Sequence, residues 1–199
     1  VFVIQLSGKQ GSGKSTTARA IESKFRSNGI AVTPHRFASA LYDVHDAVYA
    51  ILAPLGVVEQ TKKDGLLLQV LGDEWGRKKN PNIWVDAAKA HYAQIEKHFE
   101  GSNVTPVGLL EDTRYINEFH AFDNAIRVRL ECAEDARKVR TDAWRENTTH
   151  RSEIDLDEYV AQGKFDLVLD TNTLSTDLVV DMILDLYKER VASGQSSNP

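Results

Sequence analysis

The sequence has one cysteine, Cys132, in 199 residues. A lone thiol allows no internal disulfide, which suits a reducing compartment. No apolar run approaches the ~18 residues that a bilayer-spanning helix needs. No signal-peptide pattern precedes the first strand, although the chain begins at Val1 rather than at an initiator residue. The expected location is therefore the cytoplasm, with no membrane partner. Positive charge is not in excess: 24 Lys and Arg against 29 Asp and Glu leave a net charge of -5. That balance argues against a nucleic-acid coat or an anionic membrane surface, while leaving room for a local basic cleft. Internal repeats are absent, and no low-complexity run occurs before the tail at 193–199. With 42% hydrophobic and 27% charged residues, the chain has an ordinary globular balance and the length for one substantial core.

Against this plain background one stretch stands out. Gly8-Lys9-Gln10-Gly11-Ser12-Gly13-Lys14-Ser15 fits G-x-x-x-x-G-K-[ST], the phosphate-binding P-loop. Val1-Phe2-Val3-Ile4-Gln5-Leu6 before it is apolar and β-branched enough for a buried strand. Residues 16–26 after it read as a helix, with Ala18, Ile21 and Phe25 at helical spacing. Gly8, Gly11 and Gly13 thus fall where a strand turns sharply into a helix. Lacking Cβ, they allow positive φ and close approach of a ligand. The loop N–H groups and the positive helix end converge on an anion. Lys14 adds a mobile charge for outer phosphates, and the Ser15 hydroxyl can complete a Mg²⁺ shell. The competing interpretation is a glycine-rich turn that binds nothing.

Further strands are expected at 30–33, 104–110, 125–130 and 165–169. Helices are expected at 39–52, 65–75, 83–99, 115–124, 133–146, 155–162 and 174–191. A basic turn fills 76–82, a loop fills 147–154, and the tail at 193–199 reads as disordered. Strands alternating with helices imply an α/β protein, with a mostly parallel five-stranded sheet covered on both faces. Ligands of such sheets gather at the carboxyl ends of the strands. The P-loop, Arg36, Asp112 and Asp170 all fall at such ends. The expected organisation is one domain over 1–192, with an inserted helical region at about 38–100 and a lid at about 133–154.

A P-loop needs an acid to hold Mg²⁺ or its waters. Asp112 and Asp170 are the candidates. Asp112 is preferred because Arg114 stands two residues on, an arrangement suited to a metal beside a second phosphate. Asp112 could also simply cap the helix that follows it, a role compatible with the first. Arg137, Arg140 and Arg145 cluster on or beside one helix, and Arg151 follows in the loop. They read either as a solvated face or as a lid whose arginines neutralise a transferring phosphoryl group and exclude water.

Four stretches in order resemble the nucleoside-monophosphate kinases, most closely the deoxynucleoside-monophosphate kinases of bacteriophages. They are the P-loop run through Thr16; Leu67-Leu68-Gln69-Val70-Leu71-Gly72 with Gly76-Arg77 and Ile83-Trp84-Val85; Asp112-Thr113-Arg114-Tyr115-Ile116-Asn117-Glu118; and His150-Arg151-Ser152-Glu153. The chain has Ile116 and Arg151 where such kinases are expected to have proline. The resemblance implies a three-layer P-loop NTPase fold with an acceptor-binding helical region and a lid. It implies transfer of the ATP γ-phosphoryl group to a deoxynucleoside 5′-monophosphate, with Mg²⁺. The donor phosphates would lie on Gly11, Ser12, Gly13, Lys14, Ser15 and Thr16, with Ser15 on the metal and Asp112 positioning it through water. Arg114 would grip the acceptor phosphate, with Arg36 as a second candidate. Arg140 and Arg145 would be lid arginines, with Arg137 beside the donor. Gln69, Arg77 and Trp84 lie where such kinases hold the acceptor nucleotide. Trp84 either stacks on the base or anchors the core. Thr171 and Asn172 would edge the adenine pocket, and His150 would order the lid loop. The implied partners are small nucleotides and, through the resemblance alone, a second copy of the chain.

Two other functions compete. A P-loop kinase acting on a hydroxyl would want a carboxylate base near its acceptor, for which Asp43 or Asp46 could serve. A nucleotide-switch or regulatory protein would bind nucleotide without acceptor-dependent turnover. The sequence lacks the Asn-Lys-x-Asp run of guanine-specific switches.

Overall fold

The computed structural model describes residues 1–59, 61, 63–140, 144 and 151–195. Five strands form one parallel sheet: β1 (Phe2–Ser7), β2 (Val32–His35), β3 (Val107–Thr113), β4 (Ile126–Glu131) and β5 (Leu167–Asp170). Their spatial order is β2-β3-β1-β4-β5. Because β1 pairs with β3 on one side and β4 on the other, the connections diverge at its carboxyl end. Such a point opens a crevice between diverging loops.

Side-chain alternation along the strands creates two cores. Ile4 and Leu6 of β1, with Val107 and Leu109 of β3, pack on one face against α1 (Lys14–Ser27). Val3 and Leu110 point to the other face. Phe37 joins them there, as do Val85, Ala88 and Tyr92 of a long helix over Ile83–Phe99. Neighbouring residues thus serve opposite faces, the period-two rule of a strand. The result is a three-layer α/β architecture of the P-loop NTPase type, with helices on both sides of the sheet.

The remaining helices, in chain order, are α2 (Ser39–Leu52), α3 (Gly65–Gln69), α4 (Ile83–Phe99), α5 (Ile116–Phe119), α6 (Glu134–Val139), α7 (Arg151–Ile154), α8 (Asp157–Ala161) and α9 (Thr176–Gln195). The first core also takes Val179, Val180, Ile183 and Leu184 of α9. No helix among the described residues is long and apolar enough to cross a membrane.

Several boundaries differ from expectation. The helix expected at 65–75 is α3 followed by a π-helix, Val70–Arg77, so Gly76 and Arg77 leave the expected turn. Trp84 explains part of this. Its Nε1–H donates to the Gly72 carbonyl at 3.1 Å, and a Cβ on Gly76 would stand 2.8 Å from its ring. A widened turn with a glycine at the contact accommodates the indole. The third strand starts at Val107 rather than 104 and runs on through Asp112 to Thr113. The helix expected at 115–124 is the single turn α5. α7 lies inside the expected 147–154 loop, and α9 extends through 195 into the expected tail. The middle of the expected lid, 141–143 and 145–150, including Arg145 and His150, lies outside the described residues.

Candidate functional site

Since the strands are parallel, Ser7, His35, Thr113, Glu131 and Asp170 all end at one edge of the sheet. The residues just beyond them form the site. The loop from Gly8 leaves the buried end of β1 and enters α1. That helix has no acid in its first turn, so its positive end is not answered from its own sequence. Gly11 sits at φ +77°, and a Cβ there would lie 2.7 Å from the Arg137 carbonyl oxygen. The loop is therefore closed over by α6, and only glycine fits at that point. Arg137 is buried and fixes the loop from the same side, donating to the Gln10 carbonyl at 3.1 Å and the Cys132 carbonyl at 3.1 Å. Its guanidinium is a strut under the loop.

Lys14 folds back over the loop, with Nζ donating to the Gly8 carbonyl at 2.5 Å and the Lys9 carbonyl at 3.0 Å. Its pKa is lowered to about 7, first by burial and then by the Arg114 charge; Glu153 and Asp112 act in the opposite direction. Ser15 and Thr16 are exposed on the first turn of α1, while Ser12 is buried beneath the loop.

The pairing of β1 with β3 slips near its end: Gln5 faces Leu110, but Ser7 faces Thr113. Two steps along β1 are thus matched by three along β3. Such a bulge re-aims side chains near a site. Asp112 stands there. Its Oδ1 accepts from Phe37 N at 2.8 Å and its Oδ2 from Ala38 N at 3.3 Å, at the start of α2. Those amides lie just before α2, so Asp112 is tied to the end of the neighbouring strand rather than to the helix that follows it. Burial raises the Asp112 pKa, against those N–H groups and the charges of Arg114 and Arg36. Asp170 is occupied differently: its Oδ1 takes the amide N–H and side-chain nitrogen of Asn172, each at 2.8 Å.

A cavity of about 160 Å³ opens beside Asp112, lined by Arg114, Arg77, Tyr115, Glu118 and Trp84 among others. Glu118 is 3% exposed and joins these residues. Its Oε2 accepts from Arg114 N at 2.8 Å and Tyr115 N at 3.2 Å, and its Oε1 from Arg77 Nη2 at 3.0 Å. The Arg77 guanidinium also lies 4.1 Å from the Tyr115 ring centroid. Burial, then the nearby Asp112 charge, pushes the Glu118 pKa up to about 7. Trp84 lines the cavity too, is 5% exposed and is held by its bond to Gly72. A larger cavity, about 640 Å³, adjoins across Tyr115 and Arg77 and reaches Ile116, Asn117 and Arg151. Ile116 and Arg151, the two departures from the expected prolines, thus line the same space.

On the other side of the loop, a cavity of about 210 Å³ is bounded by Gly13, Thr16, Thr17, Arg140, Thr171 and Leu174. Arg140 donates to Thr171 Oγ1 at 3.0 Å and to the Thr171 carbonyl at 2.9 Å. Thr171 Oγ1 in turn donates to the Ser12 carbonyl at 3.2 Å. Asn172 is exposed beside it and accepts from the Cys132 thiol at 3.2 Å.

Lys14, Asp112, Arg114 and Arg77 are therefore brought together, and Gly13, Thr16, Arg140 and Thr171 form a second group. Arg36 lies at the rim, drawn to Glu111 Oε2 at 2.8 Å. Gln69 is exposed and lines none of these three cavities. Nor do Asp43 and Asp46; the latter pairs with His45 at 2.8 Å. Among the described residues, no group of three or more His, Cys, Asp or Glu side chains could hold a metal ion. One hydroxyl and one carboxylate nevertheless suit Mg²⁺, which keeps several waters and takes phosphate oxygens.

Sequence reasoning gave no role to Glu118, Tyr115, Arg129 or Asp157. Arg129 is 3% exposed on β4, where its Nη2 meets Asp157 Oδ1 at 2.8 Å and its Nη1 meets Ser7 Oγ at 3.3 Å. Asp157 also pairs with Lys9 at 2.8 Å. The signal was present: an arginine facing inward on a buried parallel strand needs a partner.

No protein-family model matches the chain, and no curated protein matches it. Solved structures do. TT1252 from Thermus thermophilus aligns at TM-score 0.54 and 19% identity, over 94% of this chain and 97% of that one. The APS kinase CysC of Mycobacterium tuberculosis, solved with AMPPNP and APS, aligns at TM-score 0.49 and 14% identity, over 94% and 97%. APE1195 aligns at TM-score 0.47 and 14% identity, over 94% and 95%. At 19% identity, the likeness to TT1252 shows a shared fold.

Proposed function

We propose that the chain is a P-loop kinase that transfers the γ-phosphoryl group of ATP to a deoxynucleoside 5′-monophosphate. The observation that carries this reading is Arg114. Its charge acts on the loop lysine, and it lines a cavity together with a second arginine, Arg77. Two cationic sites back to back suit two phosphates in line.

In this reading the loop amides and Lys14 hold the donor phosphates. Arg140 and Thr171 border the donor base, and Arg137 keeps the loop shut. Arg114 grips the acceptor phosphate, and Arg77, braced by Glu118 and Tyr115, holds the rest of the acceptor. Arg36 would supplement that grip after leaving Glu111. Ser15, directly, and Asp112, through water, would hold Mg²⁺, which supplies charge neutralisation between the phosphates. The segment over 133–154 acts as the lid, and the helices over about 38–100 wall the acceptor side.

A phosphate monoester has a second pKa near ~6, so the attacking oxygen is already ionised at neutral pH. No general base is needed. Catalysis is positioning and charge cancellation. This accounts for clustered arginines in a chain of net negative charge.

One observation favours a second reading, transfer to a hydroxyl. Glu118 lines the acceptor cavity with a pKa of about 7, as a general base would. Both its oxygens, however, are engaged by two backbone N–H groups and Arg77. That commitment marks it as a brace.

The test is an ADP-release assay with ATP and Mg²⁺ over dTMP, dGMP, dCMP, dAMP and 5-hydroxymethyl-dCMP, with ribonucleotides, shikimate and gluconate as controls. Turnover on one or more deoxynucleotides is expected. Activity on a hydroxyl acceptor alone would overturn the reading. ATP binding without any turnover would leave a regulatory protein.

A further inference from the structure

Glu153 belongs to the His150-Arg151-Ser152-Glu153 stretch, yet the transfer described above gives it no task. It stands on α7, a four-residue helix that buries none of its residues. Leu156, two residues past its end, is buried with Phe119 and Phe165. Within α7 itself the tie to the loop and to Arg114 is the Glu153 carboxylate. Its Oε2 accepts from the Gln10 amide of the P-loop at 2.8 Å. Its Oε1 accepts from Arg114 Nη1 at 2.6 Å, and the Ser152 carbonyl meets the same nitrogen at 3.4 Å. The Glu153 side chain is 11% exposed. One carboxylate thus ties an amide of the donor loop to the arginine of the acceptor side. Charge-assisted hydrogen bonds of this kind are short and strong.

The placement has two consequences of opposite sign. Anchoring one nitrogen of the guanidinium fork fixes its orientation, leaving the other donors for an oxyanion. A negative charge on a loop amide, close to Lys14, also opposes the anions that the loop attracts.

We propose that Glu153 is a positioning residue. It locks the Arg114 guanidinium to the P-loop backbone, holding donor cradle and acceptor grip in fixed register, and it weakens polyphosphate binding in doing so. This rests on the assignment of Arg114 to the acceptor phosphate.

The experiment uses the full chain and its Glu153→Gln and Glu153→Asp variants, with thermal melts to verify folding. Inorganic tripolyphosphate binding, followed by titration calorimetry, reads the cradle alone. Glu153→Gln should bind it about 3-fold more tightly, because a nearby charge is gone. With ATP saturating, the same variant should lose about 30-fold in kcat/KM for the deoxynucleotide acceptor, the scale of a lost charged hydrogen bond. In an Arg114→Lys background that loss should largely vanish, since Glu153 acts through the arginine fork. Glu153→Asp keeps the charge but shortens the reach. It should recover wild-type tripolyphosphate affinity and only part of the acceptor kinetics.

A residue with a merely structural role would weaken both readouts and add to the Arg114 substitution. Weakened or unchanged tripolyphosphate binding in Glu153→Gln, or additivity with Arg114→Lys, overturns the proposal. If the wild-type chain phosphorylates no deoxynucleotide, the acceptor assignment falls. The tripolyphosphate arm then still decides whether the carboxylate opposes anions at the loop.

Discussion

The proposed donor and acceptor sides of the site are built in different ways. The donor side is mostly backbone: eight consecutive residues, shaped by glycines, with α1 behind them and Arg137 as a strut. The acceptor side is mostly side chain. Arg77, Asp112, Arg114, Tyr115, Glu118 and Trp84 come from the π-helix, α4, the end of β3 and the turn into α5. A backbone cradle tolerates no added Cβ but draws little on distant residues. A side-chain cradle depends on buried partners, because a desolvated guanidinium or carboxylate is costly unless its donors and acceptors are met.

Substitutions on either side of the site test that contrast. The largest effect is expected from Arg114→Ala. Turnover should fall about 10³-fold, the scale of a lost oxyanion donor, while ATP affinity stays near wild type in equilibrium binding. Near-normal turnover would remove Arg114 from the site. Gly11→Ala is the mirror experiment. The methyl must enter the space of the Arg137 carbonyl at a positive φ. The strain is about 1–3 kcal/mol. Loss of ATP binding is expected by calorimetry, with the fold retained by circular dichroism. Unchanged ATP affinity would show that the loop is not held closed by α6.

Glu118→Gln should sit between these extremes. It keeps the volume but loses the charge that meets Arg77, and Gln has only one acceptor oxygen for three donors. A rise of about 10-fold in acceptor KM is expected, since charged hydrogen bonds are worth about 1.5–3 kcal/mol. A KM at the wild-type value would contradict the brace. The smallest kinetic effect is expected at Trp84→Phe. It removes the indole donor to Gly72 and should cost about 1 kcal/mol of stability in denaturant titration. A large selective change in base preference would instead revive Trp84 as a stacking platform.

Acid should also act at the end of β2, besides the titrating groups of the site itself. His35 stacks on His91 with ring centroids 3.9 Å apart, and burial, then the His91 charge, lowers its pKa to about 4. The unfolded ring titrates near 6.5. The stability from the neutral ring is therefore complete above about 6.5 and is lost as pH falls through about 4. Denaturant midpoints measured between pH 7 and pH 4 should show this decline, and His35→Phe should flatten it. An equally steep decline in the variant would place the acid sensitivity elsewhere.

The same contrast governs what could be read from the sequence. The strand, loop and helix around residues 8–15 were legible because their chemistry is contiguous. The five strands were legible through apolar runs, and the parallel sheet followed from their alternation with helices. Asp112 and Arg114 were legible because they stand two positions apart at one strand end. Glu118 and Arg129 received no role: beside their near neighbours, each is committed to a distant partner, Arg77 for Glu118 and Asp157 for Arg129, that spacing along the chain does not show. The π-helix was hidden too, since it depends on Trp84 packing into Gly72 and Gly76 rather than on local propensity. The alternative role of Asp112, a cap on its own following helix, is not what the structure shows: its carboxylate accepts from the amides of Phe37 and Ala38 instead.

The central claim is that a phosphate, not a hydroxyl, receives the transferred group. Phosphorus NMR of the products from ATP, Mg²⁺ and the deoxynucleotide panel tests it most directly. The account predicts a new phosphoanhydride, seen as paired α and β resonances of a deoxynucleoside diphosphate growing with those of ADP. A new phosphate ester in the controls, with no second diphosphate, would contradict it.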